Sequence, residues 1–253
     1  MASKFLILFS KQDVAGTNIA MKLKECGIAF GFAEYEESLL HLKEPPDCEI
    51  CLFASRHKSV SGKPCLTAHV PGNWNLAEHG GEPKTLSIAP ASKLKVALNS
   101  LVKHAKERNF FWQVVAECTH HGPTFQKPSL FVEIGSSENE WNDKTAVEIV
   151  ASAIVDVVDS EDEFPTAFGV GGPHYTPAFT KIILNKDYAV GHILPQYHVD
   201  NIDYETFSQG IEKTVENVDF VLIDWKGLTS AQREKIQNLC EEYGIAWKRT
   251  SDL

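Results

Sequence analysis

The chain has 253 residues and a formal net charge of −10. That length suffices for a sizeable core without disulfide staples, and that charge excludes a general polyanion binder while leaving room for a local basic patch. No apolar run approaches the ~20 residues a membrane span needs, and six dispersed cysteines suit a reducing, cytoplasmic setting.

"KFLILFS" opens the chain as a strand rather than a signal peptide. The helical "AGTNIAMKLKEC" follows, with Gly27 as its expected stop. "CEICLFAS" reads as a strand, "APASKLKVALNSLVKHAKER" as a helix and "FFWQVVAEC" as a strand. "SLFVEIG" then leads into the helical "WNDKTAVEIVASAIVDVV". The acidic "DSEDEF" is a loop. "TAFGVGG", "AVGHIL" and "DFVLIDW" are further strands, and "DYETFSQGIEKTVE" is a helix. "TSAQREKIQNLCEEYG" is a helix with Thr229 or Ser230 as cap and Gly244 as stop, and "IAWKR" is an edge strand. Strands alternating with helices predict an α/β protein: one domain over residues 1–253, with a mostly parallel or mixed central sheet covered by helices on both faces.

In such folds ligands bind beyond the carboxyl ends of strands, and histidines gather at those positions here. "LTAHVPGNW" offers His69, Gly72 and Asn73. "AECTHHGPT" offers Glu117, Cys118, Thr119, His120, His121 and Gly122. "GVGGPHY" offers His174 and "VGHILPQY" offers His192. Imidazole suits zinc, and a catalytic zinc site needs three protein ligands and one open position. Any one histidine is better explained by a hydrogen bond in a loop, while the set as a whole points to function. Glu133 in "EIGSS" is a carboxylate at the end of an apolar strand, and the serines after it suit the cap of the next helix. "CEIC" is read as core, because residues three apart in a strand face opposite sides and no second C-x-x-C exists. Cys118 near His120 reads as a buried thiol rather than a nucleophile.

The helix at 92–108 places Leu94, Leu98, Leu101 and Ala105 on one stripe and Lys95, Asn99, Lys103 and Lys106 on another side. That second side is either a solvated lysine face or a track for a phosphate backbone.

"ASRH", "HVPGNW", "ECTHHGPT", "VEIGSSENEW", "GGPHY", "GHILPQY" and "DWKG", in this order, resemble the archaeal and plant type of D-aminoacyl-tRNA deacylase from about Ala54 to Gly227. The resemblance implies a zinc-dependent enzyme that hydrolyses the ester between a D-amino acid and the 3′ end of tRNA. It implies a fold similar to peptidyl-tRNA hydrolase and the phosphorylase-like α/β group; no obligate protein partner is inferred from the sequence. Carried over by position, the site candidates are His69, Gly72, Asn73, His120, His121, Gly122, Glu133, His174 and His192. His120, His121 and Glu133 are the catalytic candidates, and His69, His120, His174 and His192 the metal ligands, with His121 a further ligand candidate. Glu133 is then a general base or a carboxylate that holds a ligand histidine. Pro173 departs from the family's pattern by standing where a glycine is usual, which removes one N–H from that loop. For RNA contact the candidates are Lys95, Lys103 and Lys106, then Arg56 and Lys58 beside His57, with Trp74 or Tyr175 stacking on the terminal adenine. Competing readings are a metal-dependent hydrolase of a small ester or amide without RNA, and a non-catalytic tRNA-binding module.

Overall fold

The computed structural model describes residues 3–26, 31–60 and 62–253. The expected stop at Gly27 lies outside them. The strands are β1 (Ser3–Ser10), β2 (Gly31–Tyr35), β3 (Cys48–Lys58), β4 (Cys65–His69), β5 (Gly72–Asn73), β6 (Thr85–Leu86), β7 (Gln113–Ala116), β8 (Ser129–Ser136), β9 (Thr166–Val170), β10 (Ala189–Leu194), β11 (Val218–Ile223) and β12 (Trp247–Arg249). The α-helices are α1 (Val14–Glu25), α2 (Ala91–Glu107), α3 (Glu138–Trp141), α4 (Lys144–Asp159), α5 (Pro177–Asn185), α6 (Gln196–Val199), α7 (Tyr204–Glu212) and α8 (Ser230–Tyr243).

Two main sheets form. One is six-stranded in the order β2-β1-β3-β8-β4-β7, and the other is four-stranded in the order β10-β9-β11-β12. The second is all parallel. The first is mixed, because β4 runs antiparallel to β8 and parallel to β7. A short hairpin-like pair, β5 and β6, stands apart. Helix α2 packs on β4, α4 and β10, so it joins the two sheets. The buried cluster around it runs from Ile7, Leu52 and Val132 of the first sheet to Val190 and Leu222 of the second.

Alternation along the strands divides the first sheet's two faces. Ile7, Leu52, Leu130, Val132 and Ile134 share one core with Ile19 of α1 and Ile149 of α4. The intervening residues on β8, namely Phe131, Glu133 and Gly135, point to the opposite face. Phe131 stacks there on Phe53 at 4.3 Å, beneath Leu39, Leu42 and Phe125. This second face carries the chemistry.

Local signals account for the helix ends. Asp13 caps α1 by accepting from the Gly16 amide at 2.9 Å. Thr229 and Gln232 form a reciprocal cap on α8, and Gly244 ends it at φ 81°. Ser137 leads α3, with its amide donating to Glu140 Oε2 at 2.9 Å.

Two expectations are corrected here. Glu133 does not end its strand, since β8 continues to Ser136 and Glu133 is 3% exposed. The sulfurs of Cys48 and Cys51 are not on opposite sides but 3.5 Å apart. Cys48 starts its strand from a turn in which its amide donates to the Pro46 carbonyl at 3.0 Å, so regular alternation does not yet hold there. Both cysteines are buried beside Phe53 and Leu8, as core residues.

Candidate active site

The site is written on one face of the six-stranded sheet. Across β3 and β8, Ser55 pairs with Glu133 and His57 with Gly135. Across β8 and β4, Glu133 pairs with Thr67 and Phe131 with His69. His57, Glu133, Thr67 and His69 therefore lie side by side. Gly135 is required for this: a Cβ there would meet His57 Cδ2 at 2.6 Å, so the missing side chain is the space the imidazole occupies. Glu117, just beyond β7, and the 118–122 turn close over this face, while His174 follows β9.

Two carboxylates organise the histidines. Glu117 Oε2 accepts from His174 Nε2 at 2.8 Å and lies 3.7 Å from His120 Nε2. Its Oε1 is 3.1 Å from His57 Nδ1, off the axis of a hydrogen bond. Glu133 Oε2 lies 3.7 Å from His57 Nδ1, 3.6 Å from His69 Nε2 and 3.4 Å from the Thr67 hydroxyl. Burial alone would lower the His57 pKa, but Glu117 and Glu133 outweigh it and push it up to about 12. His57 is thus a cation clamped between two carboxylates, with Nε2 donating to the Tyr175 hydroxyl at 2.6 Å. Burial would raise Glu133, yet His57 and His69 hold it down at about 2, so it is ionised.

His69, His120 and His121 bring one ligand atom each to within 4.8 Å of the others. The Nδ1–H of His120 donates to the Cys118 carbonyl at 2.8 Å and that of His121 to the Gly122 carbonyl at 2.6 Å. Each Nε2 is thereby left as the lone-pair nitrogen, the arrangement that prepares imidazole for a metal. Burial, then the neighbouring His69, pushes His120 well below the ordinary histidine range, and the same causes lower His121 to about 4. Both are neutral, as ligands must be. His69 is fully buried, and neither of its ring nitrogens has a hydrogen-bond partner. Buried imidazole nitrogens without partners are costly unless something else binds them. A cation held by one of these nitrogens, with Glu133 3.6 Å from Nε2, would meet that demand, and one nitrogen from each of the three histidines is a donor set that suits zinc. Among the described residues two further groupings occur, Cys118–His120–His174 and His57–Glu117–Glu133.

The cluster floors a cleft. A cavity of about 430 Å³ on one side is lined by Arg56, His57, Lys58 and Glu133, with Gln12 and Leu39. A second of about 430 Å³ on the other side is lined by Gly72, Asn73, Leu76, Glu78 and Tyr197. His120, His121 and His174 line both.

The structure brings His69, His120, His121, Glu133 and His174 together, with Arg56, Lys58 and Tyr175 at their margin. Gly72, Asn73 and Gly122 are adjacent but act as scaffold. The Gly72 amide donates to the His121 carbonyl at 2.7 Å, the Gly122 amide to His79 at 3.0 Å, and the Asn73 side chain to Gly80 at 2.9 Å. Pro173 is exposed beside His174.

Three expectations fail, those for His192, Lys95 and Trp74. His192 is no metal ligand: Thr119 Oγ1 donates to its Nδ1 at 3.1 Å, and its Nε2–H is shared by the Ser87 and Lys213 carbonyls, each at 3.1 Å. Lys95 is no RNA contact: it is 4% exposed, and its ammonium donates to the Ile183 and Lys186 carbonyls at the end of α5. Lys103 pairs with Asp156 at 3.2 Å on a surface that also carries Asp159 and Asp162, and neither it nor the exposed Lys106 lines the cleft. Trp74 is 2% exposed and stacks on Phe168, so its ring cannot receive a base. Sequence reasoning missed His57, and it named Glu117 without giving it a role. The signal for His57 was the alternation Cys51, Phe53, Ser55, His57, which places it on the face of Glu133 once Gly135 is read as space.

Buried carboxylates and imidazoles converging on a two-sided cleft of an α/β fold are the acid, base and metal-binding groups that a hydrolytic enzyme uses. A model of the D-aminoacyl-tRNA deacylase family matches residues 44–248. The D-aminoacyl-tRNA deacylase of Thermococcus onnurineus is 43% identical over 204 residues, covering 79% of this chain and 74% of that one. That of Methanococcus maripaludis (strain C7) is 35% identical over 255 residues, covering 97% and 99%. The crystal structure of a conserved protein of unknown function superposes with a TM-score of 0.91 at 30% identity, covering 99% of this chain and 96% of the other. The chain belongs to the D-aminoacyl-tRNA deacylase family.

Proposed function

We infer that this protein hydrolyses the ester bond of D-aminoacyl-tRNA, releasing the free D-amino acid and the tRNA as a proofreading step in translation. The observation that carries the chemistry is His69: a fully buried imidazole with two unpartnered nitrogens, flanked by His120, His121 and two buried carboxylates.

His69, His120 and His121 would hold zinc, which when bound supplies Lewis acidity and lowers the pKa of water toward neutrality. The remaining roles belong to the protein. Glu133 accepts from Thr67 and stands 3.6 Å from His69 Nε2, where it would hold that ring once the other nitrogen is ligated. A carboxylate held at about 2 is a weak proton acceptor, which favours this orienting role over general-base work. His57 shares its single positive charge between Glu117 and Glu133, and His174 brings a second cation to Glu117, so both carboxylates stay ionised in a dry setting. His174 has a side chain 36% exposed and lines both cavities, with Nε2 anchored on Glu117. Its Nδ1 faces Cys118 and the Tyr197 hydroxyl. Burial would lower it, but Cys118 and Glu117 push it up to about 10, so it is protonated at neutral pH and, at the boundary of the two cavities, is the proton donor we assign to the departing ribose oxygen.

The test is incubation with matched D- and L-aminoacyl-tRNA, with and without a chelator. The D ester is cleaved, the L ester survives, the chelator stops turnover and zinc restores it. Equal rates on both enantiomers refute the stereochemical part, and full activity at nil metal content refutes the metal part. The double change Cys48→Ser and Cys51→Ser should keep the zinc content, since neither sulfur belongs to any candidate metal grouping among the described residues.

A further inference from the structure

The cleft's two halves differ in charge and polarity, and an aminoacyl ester has two arms that differ in the same way. From the ester carbon, one arm runs through ribose to phosphate and is anionic. The other carries the α-ammonium and the amino-acid side chain, and is cationic and often apolar. Each cavity, at about 430 Å³, lies within the roughly 300–1,000 Å³ of small-molecule sites.

The first cavity offers Arg56 and Lys58, both exposed. Among the described residues, neither makes an ion pair; the two carboxylates that also line this cavity serve other groups, Asp13 the amides of Gly16 and Arg56 and the Ser55 hydroxyl, and Glu133 the histidines. The Arg56 guanidinium is braced 5.1 Å from the Trp141 ring and donates to the Gln12 carbonyl at 3.4 Å. A braced guanidinium with unspent donors suits a phosphate. The second cavity has no lysine or arginine in its lining. It offers Leu76, 66% exposed, Tyr197, 46% exposed, and the exposed carboxylate of Glu78, which has no ion-pair partner among the described residues. An apolar wall beside a free carboxylate suits an ammonium next to a side chain. His120, His121 and His174 form the boundary, where the ester itself must lie.

We propose that the cavity of Leu76, Glu78 and Tyr197 receives the aminoacyl group, with Glu78 on the α-ammonium and Leu76 against the side chain, while Arg56 and Lys58 hold the terminal phosphate on the opposite side. This assignment rests on the deacylase reading. It makes the second cavity the determinant of amino-acid range and the first the determinant of RNA affinity.

The experiment measures kcat/KM for D-tyrosyl-tRNA and D-alanyl-tRNA, and the inhibition constant of uncharged tRNA, in the parent enzyme and three variants. All three replaced side chains are exposed. Arg56→Ala should raise the inhibition constant about tenfold and leave the tyrosyl-to-alanyl ratio within about twofold. Leu76→Ala should change that ratio by about tenfold, the scale of a few methylenes in a pocket, and leave the inhibition constant unchanged. Glu78→Gln should lower kcat/KM on both esters about tenfold, again without affecting uncharged tRNA. The reverse pattern overturns the assignment, as does indifference of all three variants in an active enzyme. A parent that leaves both D esters intact overturns the deacylase reading itself, which keeps the two failures apart.

Discussion

The imidazole of His174 is tied to Glu117 by a 2.8 Å hydrogen bond from Nε2, and Glu117 is itself fully buried. That bond leaves Nδ1 of His174 facing the Cys118 sulfur and the Tyr197 hydroxyl. Glu117→Gln keeps the shape but loses the charge, so His174 loses the anion that keeps it protonated. Turnover should fall about 10–100-fold, with the alkaline limb of the pH profile moving to lower pH. An unmoved pH profile would mean that His174 does not serve as the proton donor.

For Glu133 the informative change is Glu133→Gln. If its task is to orient His69, zinc affinity should fall about 10–100-fold, and saturating zinc should recover most of the turnover. A general base would instead leave metal affinity intact and lower turnover by about 10²–10⁴-fold at any zinc concentration. Titrating zinc against activity separates the two.

Lys95 should prove a stability residue. Its ammonium serves two carbonyls at the end of α5 and lies over the Phe164 ring at 5.0 Å. Lys95→Met should cost about 1–3 kcal/mol in urea unfolding, by leaving those acceptors unpaired, with KM for tRNA unchanged. A raised KM with full stability would restore Lys95 to the RNA surface.

Asp203 supplies the pH test. The Lys84 hydrogen bond, then those from Thr206 at the start of α7, hold its carboxyl at about 2, below the ordinary value of 3.8. A depressed carboxylate contributes stability above its unfolded pKa, and the contribution is lost as pH falls through the folded one. Asp203→Ala should cost about 1 kcal/mol at pH 7, mostly as a lost cap, because the Lys84 pair is exposed and screened. The gap between parent and variant should close between about pH 4 and about pH 2. A gap that persists at the acid end would show that the cap does not depend on charge.

What the sequence disclosed divides along a physical line. Caps, stripes and alternating strands are local, so Thr229, Gly244 and the core of α2 could be read directly, and so could the histidine-rich turns. Direction of pairing is non-local: nothing in "CLTAH" says that β4 runs against β8. The same holds for His192 and Lys95, whose partners lie 21 to 105 and 88 to 91 residues away. Their types suggested metal and RNA, and only packing shows that their polar atoms are already satisfied. His57 was hidden between Arg56 and Lys58, whose charges drew the eye to a strand end.

Placing the reactive groups on a pleated face binds assembly to competence. A slip of β8 by a single residue would turn Glu133 toward α4, into a layer of Ile, Val and Ala with no cation to meet it, and would send Val132 or Ile134 into the histidines. The ionised carboxylate thus vetoes the neighbouring registers. A molecule that has folded far enough to be stable has, by the same arrangement, already aligned its active groups, and inactive but well-folded isomers have no comfortable place to accumulate.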